Sequence, residues 1–425
     1  MGVTSKRLLI LIFISLLSFA CSNDSGYPVG LDILEPSDRS ELARVYVTTP
    51  GNCEITSKTE WVDECTIEIT DAQGKELMKS TTAIKGRGNS TWRYPKKPYA
   101  LKLDSKAEIL GMPKHKRWVL LANWMDRTLL RNDVAFEMGR RTMEWAPRGQ
   151  FVELFLNGKF LGNYYLCEQI KIDKMRVNVD KIDEETDFSN ASQISGGYIL
   201  EFDVFGPEDE INYFYTSVKK YPVTIKEPDE EVITSWNHPA YEYIKGYVNR
   251  VEQILEEDKN KLEKWSEVAS LIDVQSYIDW WLIHEVAYNI EARYPKSCYM
   301  YKKRDGKLYA GPVWDFDWET FRPDNNELKV VSCLWYGYFF RYPEFKREVV
   351  SRWAEVKDLL LAIDEYIMSQ TECIRYSNEI NFAKWPISGD VNGDEKLTFD
   401  QAIENMRAGY SNRLRLIDDF VGTLN

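Results

Sequence analysis

The chain has 425 residues, a net charge of −13 and 13% aromatic content including 14 tryptophans, enough apolar material for one large core or two lobes. No basic block offsets the acidic excess, which argues against nucleic acid as a partner. Three histidines in unrelated contexts (His115, His238, His284) and seven cysteines without a Cys-x-x-Cys pair leave little from which to build a histidine triad or a zinc site.

In chain order, Lys6 and Arg7 precede the apolar run Leu8 to Phe19, which stops at Ala20-Cys21. A basic head, an apolar segment of about 12 residues and a small residue before the cut predict a secretory signal over 1–20, too short to span a bilayer. The cysteine that follows resembles a bacterial lipobox, so Cys21 is the expected lipidation site. Ser22-Asn-Asp24 is similar to the export signals of surface lipoproteins of the Bacteroidetes type. The expectation is an outer-membrane lipoprotein facing the periplasm or the cell surface, touching the membrane through its lipid alone. A tether over 21–39 would then lead to one folded region over 40–425, and no later segment is apolar enough for a membrane helix.

Strands are expected at Ala43 to Thr48, Cys65 to Thr70 and Ser80 to Lys85, where alternating or β-branched residues lie between Gly, Asn and Asp breakers. Cys53 and Cys65 flank a short polar segment and, in an exported protein, are candidates for a disulfide. Lys85-Gly-Arg-Gly-Asn-Ser-Thr-Trp92 and Lys96-Lys-Pro-Tyr-Ala-Leu-Lys-Leu103 follow. Gly86 and Gly88 let the backbone turn tightly and expose N–H groups, while Lys85, Arg87, Lys96, Lys97 and Lys102 crowd positive charge around the turn. Such a site suits a phosphate, although an ordinary hairpin with a solvated face has the same letters.

Arg117 to Leu121 reads as a strand, and Asp126 is placed to cap a helix running to about Thr142. Gln150 to Leu156 and Lys159 to Ile170 around Asn157-Gly158 form a hairpin with a type I′ turn, and Glu168 lies near its end. Gly196 to Asp203 is a strand ending in two carboxylates. Residues 206–235 read as a polar, acidic excursion from the core with a strand-like stretch at Pro222 to Lys226, so the strand-rich lobe spans about 40–205 and a helical lobe 236–425. Helical periodicity covers Tyr241 to Glu256 and Lys259 to Leu271. Asp273 caps a buried central helix over Val274 to Asn289, which delivers the chain to Glu291.

The hairpin of Cys298 to Lys302 and Lys307 to Ala310 then leads into Val313-Trp-Asp-Phe-Asp-Trp318. Asp315 and Asp317, planted among large aromatic residues, need a positive partner, because an unpaired buried charge loses several kcal/mol of hydration. A metal ion or a basic side chain would serve. Glu291 is one hairpin away and expected to be close in space.

In this order, Lys85 to Trp92 with Lys96 to Tyr99, the Phe151 to Glu168 hairpin, Gly196-Gly-Tyr198 and the Tyr277 to Asp317 unit resemble the CotH kinase family. The resemblance implies an α+β, atypical protein-kinase-like two-lobe fold, strand-rich then helix-rich, with ATP between the lobes and Mg²⁺ or Mn²⁺ as the metal. It implies transfer of the ATP γ-phosphoryl group to a Ser/Thr hydroxyl of an exported protein. Asp315 matches the family's metal-binding aspartate, with Asp317 a second ligand or a structural cap and Asn289 a further metal-side oxygen. Lys97, with Lys102 and Lys85 as alternatives, would hold the phosphates, and Glu168 would fix the lysine or the metal. Glu291 stands where the family pattern carries an Asp, and Lys296-Ser297 near a later Asn; the glutamate keeps the charge but reaches about one bond further, which weakens positioning.

Asp390 to Gln401 resembles an EF-hand loop, with oxygens at positions 1, 3, 5 and 9 but no Gly at position 6 and Gln401 where a Glu closes the cage. The alternative is a turn followed by a helix from Gln401 to Val421, capped by Thr398 or Asp400. Two other functional classes are compatible with the chain. One is a surface adhesion or scaffold protein retaining the fold as a binding module; the other is a carbohydrate-active enzyme using Glu291 and Asp315 as an acid/base pair.

Overall fold

A computed structural model describes residues 34–206, 212–387 and 392–424. The expected signal, Cys21, most of the tether and Asp390 lie outside the described residues. The first seven strands are β1 (Ala43–Thr48), β2 (Val62–Thr70), β3 (Glu76–Gly86), β4 (Tyr99–Ile109), β5 (Met112–Leu121), β6 (Gly149–Leu156) and β7 (Lys159–Glu168); β1 alternates buried and more exposed side chains, whereas β6 and β7 are buried over most of their length. They close into a barrel of order β1-β2-β3-β4-β5-β7-β6. Closure comes from parallel pairing of β1 with β6, Val45 opposite Leu154, and leaves no open sheet edge. Val45, Ile67, Leu101, Trp118 and Leu154 fill the interior. The turn between β6 and β7 has Asn157 at φ 51° and Gly158 at φ 75°, the two left-handed residues that a type I′ hairpin requires.

A second sheet has the order β12-β11-β8-β10-β9, from β8 (Tyr198–Phe202), β9 (Tyr213–Tyr215), β10 (Pro222–Glu227), β11 (Cys298–Lys302) and β12 (Leu308–Ala310). β9 and β10, which fall inside the stretch read as an excursion, therefore belong to this sheet. β10 is paired on both sides, with Val223 and Ile225 buried, because apolar residues inside this acidic stretch find a sheet to join. β8 likewise pairs with β11 across 96 residues of sequence (Cys298 opposite Phe202) rather than with the barrel.

Helices dominate the C-terminal part. α1 (Arg131–Thr142) belongs to the first half; α2 (Pro239–Asp258), α3 (Trp265–Leu271), α4 (Val274–Ala287), the short α5 (Tyr336–Phe339), α6 (Pro343–Leu361), α7 (Ile363–Lys384) and α8 (Phe399–Gly422) follow. The architecture is mixed α/β, strand-rich then helical, but the closed seven-stranded barrel is not plainly the small lobe of a two-lobe kinase. α4 is buried on nearly all sides, as expected of a helix apolar all round, and Asp273 caps it by accepting from Ser276 N at 3.0 Å. Among the described residues no helix is long and apolar enough to cross a membrane.

Several local expectations change. Asp126 does not sit at a helix start: α1 begins at Arg131, and Asp126 instead accepts from the Arg131 backbone N–H and pairs with its guanidinium. Cys53 and Cys65 both carry free thiols; Cys65 is buried against the Val62 carbonyl at 3.2 Å. Within the calcium-like loop, Asp394 pairs with Arg131 at 2.6 Å. Gln401 belongs to a capping box with Thr398 at the start of α8.

Candidate functional site

A cleft of about 500 Å³ opens between the barrel and the second sheet. One wall is the Arg87–Thr91 loop after β3. Its glycines serve the loop's own packing: Gly88 has φ 81°, and a Cβ there would lie 2.0 Å from Thr91 Oγ1. At Gly86 a Cβ would lie 2.3 Å from the Trp92 ring. The opposite wall is assembled by sheet register. β8 presents Glu201 and is followed by Asp203, β10 presents Lys226 beside Glu201 at 3.5 Å, and Lys296-Ser297 precede β11. After β12 the chain turns through Gly311 and brings Asp315 and Asp317 into the cleft, while α4 delivers Glu291 from behind.

The cleft therefore gathers five carboxylates, Glu201, Asp203, Glu291, Asp315 and Asp317, around three cations, Arg87, Lys226 and Lys296. Burial raises Glu291 to about 7; Asp315's charge adds to this and the Lys296 ammonium, 2.9 Å away, opposes it. Burial lifts Asp315 above the usual carboxylate range against the pull of Arg87. Asp317 lies well above that range, through burial first and then the charges of Asp315 and Glu291. Asp203 is raised to about 6 by burial and Glu201, although it accepts from Phe205 N at 2.7 Å and Ser297 N at 3.0 Å. Ser297 Oγ stands 3.4 Å from Asp315 Oδ2. Arg87 lies over the Trp314 ring at 5.2 Å, so it flanks the acid pair without forming a direct ion pair.

Of the residues singled out in sequence, Arg87, Glu291, Asp315 and Asp317 meet in this cleft. Lys97, Lys102, Lys85, Glu168 and Asn289 do not line it. Lys97 folds back on Trp92, donating to its carbonyl at 2.7 Å. Lys102 is exposed on the outside of β4, and Lys85 lies over the Trp61 ring at 4.8 Å. Glu168 is fully buried, held by Arg148 in a two-point pair at 2.8 and 2.9 Å and by Arg176 at 3.5 Å. Its charge is already satisfied on the barrel. Asn289 does not offer its amide to the cleft: Oδ1 accepts from Glu291 N at 3.2 Å and Nδ2 donates to the Asp315 carbonyl at 2.9 Å. Lys226, Glu201, Asp203 and Lys296 are charged cleft residues that sequence reasoning did not rank. The two carboxylates at the end of β8 were the available signal, but the lysine that meets Glu201 lies 25 residues on in the sequence.

Among the described residues no three His, Cys, Asp or Glu side chains converge as a complete ligand set. Mg²⁺ and Mn²⁺ do not require one, since Mg²⁺ in phosphoryl-transfer sites is held by one or two carboxylates with phosphates and water completing the shell. Clustered, desolvated acids whose mutual repulsion favours protonation are the donor set that a divalent cation relieves, so Asp315 and Asp317 fit the group. The three histidines are scattered: His238 caps α2, His284 is stacked on Trp280 and His115 accepts from Arg117 N in β5. No curated protein matches the chain. Residues 84–417 match the family model described as CotH kinase protein, most of the chain including every cleft element above, and the protein belongs to that family.

Proposed function

We propose that the protein is an ATP-dependent kinase of the cell envelope that phosphorylates a serine or threonine hydroxyl of an exported protein, with the barrel and the helical region acting as two lobes. The observation that carries this reading is the convergence of Asp315, Asp317 and Glu291 with Arg87, Lys226 and Lys296 in one cleft. Phosphoryl transfer needs positive charge on the phosphates and a carboxylate that positions the attacking hydroxyl. Arg87 and Lys226 take the phosphate-holding role expected of Lys97, Lys102 or Lys85, because they face the cleft; Glu201 orients Lys226. Mg²⁺ or Mn²⁺ held by Asp315 and Asp317 would supply charge neutralisation on the phosphates. Glu291 orients the acceptor hydroxyl and takes up its proton once it is free of Lys296. The N-terminal leader and Cys21 support export and lipid attachment at the outer membrane, with the folded region in the periplasm or at the cell surface.

The Glu291–Lys296 ion pair favours a second reading, a scaffold or adhesion protein built on the same fold, in which the lysine silences the base. A thermal-shift titration of the chain without its leader separates the two, because a ligand that binds only the folded state raises its apparent stability. ATP with Mg²⁺ or Mn²⁺ is expected to raise the unfolding midpoint. Asp315→Ala and Lys226→Ala should abolish the rise, and Lys97→Ala should leave it in place. No rise at millimolar ATP would move the weight to the scaffold, as would binding without phosphate transfer.

A further inference from the structure

We infer that Asn392 is a positioning residue for the Asp315/Asp317 pair and that residues 392–394 form a strap across the back of the acidic loop; this rests on the kinase reading of the cleft. Residues 314–320 belong to no strand or helix, and Asp315 and Glu319 hold left-handed backbone at φ 69° and 56°. For non-glycine residues that conformation costs about 1–2 kcal/mol each, so it must be enforced from outside. The enforcing groups are four side chains from three remote places. Asn289 donates to the Asp315 carbonyl at 2.9 Å, Asn132 accepts from Phe316 N at 2.8 Å and Arg131 donates to the Thr320 carbonyl at 3.1 Å. Asn392 contributes most, because Nδ2 donates to the Asp317 carbonyl at 2.9 Å and Oδ1 accepts from Glu319 N at 2.6 Å, bracketing Trp318. The same Nδ2 reaches the Met125 carbonyl at 3.0 Å on the barrel side.

The strap is anchored one turn further on. Asp394, 2% exposed, pairs with Arg131 at 2.6 Å, and Arg131 also holds Asp126. An EF-hand loop would turn its third and fifth positions onto an ion; here Asn392 faces the acidic loop and Asp394 faces a fixed guanidinium. Asn392 and Asp394 thus organise a neighbouring site. The hydrogen bonds of the Asn392 side chain all go to backbone groups, so its truncation frees the acid pair without removing a side chain of the apolar core.

The test is calorimetric titration of the leaderless chain with a non-hydrolysable ATP analogue, without metal and with Mn²⁺, for wild type, Asn392→Ala, Asn392→Asp and Asp315→Ala. Circular dichroism and unfolding midpoints are recorded alongside. Partners behind a metal's ligands typically change metal affinity by about 10–100-fold. Asn392→Ala is expected to weaken Mn²⁺ binding about tenfold or more while metal-free analogue binding, carried by Arg87 and Lys226, stays within about twofold. Asn392→Asp keeps the acceptor for Glu319 N and loses the donor to Asp317; it should show the same selective loss and decides the matter if the alanine variant does not fold. Equal Mn²⁺ affinity in wild type and the folded Asn392 variants overturns the inference, as does a uniform loss with and without metal. Wild-type protein that binds neither analogue nor Mn²⁺ overturns the kinase reading and the inference with it.

Discussion

Glu291 is the residue on which the chemistry and the pH dependence meet. An isolated glutamate titrates near 4.3, and burial beside Asp315 pushes Glu291 up to about 7. The folded state therefore prefers the protonated form. The stability associated with that preference is present below the unfolded pKa and is lost as pH rises from about 4.5 through 7. Glu291→Gln removes this liability, so its unfolding midpoint relative to wild type should climb between pH 5 and pH 8. A constant difference across that range would mean that the carboxylate is not perturbed. A base must be ionised to work, so if the proposed kinase reading holds, with Glu291 as the base, phosphate transfer should rise through about pH 7. Asp315 and Asp317 were legible in the sequence because two carboxylates among Trp314, Phe316 and Trp318 demand a partner. Lys97 drew attention through local crowding of charge and proved to be satisfied by Trp92 five residues away, while Lys226 and Glu201 meet only through strand pairing.

At the scale of elements, caps and turns carry their own short-range instructions. Thr398 accepts from Gln401 N while the Gln401 side chain accepts from Thr398 N at 3.0 Å, a reciprocal box that starts α8. Thr398→Ala should cost about 1 kcal/mol, read as a lower denaturation midpoint with an unchanged slope. Asn157-Gly158 and Asp273 are likewise set by neighbours within three residues, which is why the hairpin and the α4 start lie where the letters place them. Asp126 misleads for the opposite reason. Its carboxylate finds a buried guanidinium, Arg131, that also binds Asp394 far along the chain, and that pairing outweighs the local cap. The stretch containing β10 misleads in the same way, since β10 is read as peripheral from its acidic flanks and is an interior strand once β8 and β9 pair with it.

Across the whole molecule, buried charge pairs tie the helical region together around α4. Arg413 of α8, fully buried, donates to the Glu285 carboxylate at 2.6 Å and to its carbonyl at 2.8 Å, and Glu285 also accepts from Lys329 N and Val331 N. Arg413→Met leaves that carboxylate buried without its cation. Such a change typically costs about 3–5 kcal/mol, to be read as a loss of unfolding free energy in denaturant; a loss below about 1 kcal/mol would show that the pair adds little. From its letters alone the chain determines the family, the strand-then-helix order, the buried central helix and the acid pair, because periodicity, caps and charges in apolar surroundings are local properties. Tertiary structure alone decides barrel closure through β1 and β6, membership of β10 in the second sheet, and which cations share the cleft with Asp315. Those depend on register between segments distant in sequence, where no residue encodes its partner and only the packing of the assembled sheets selects it.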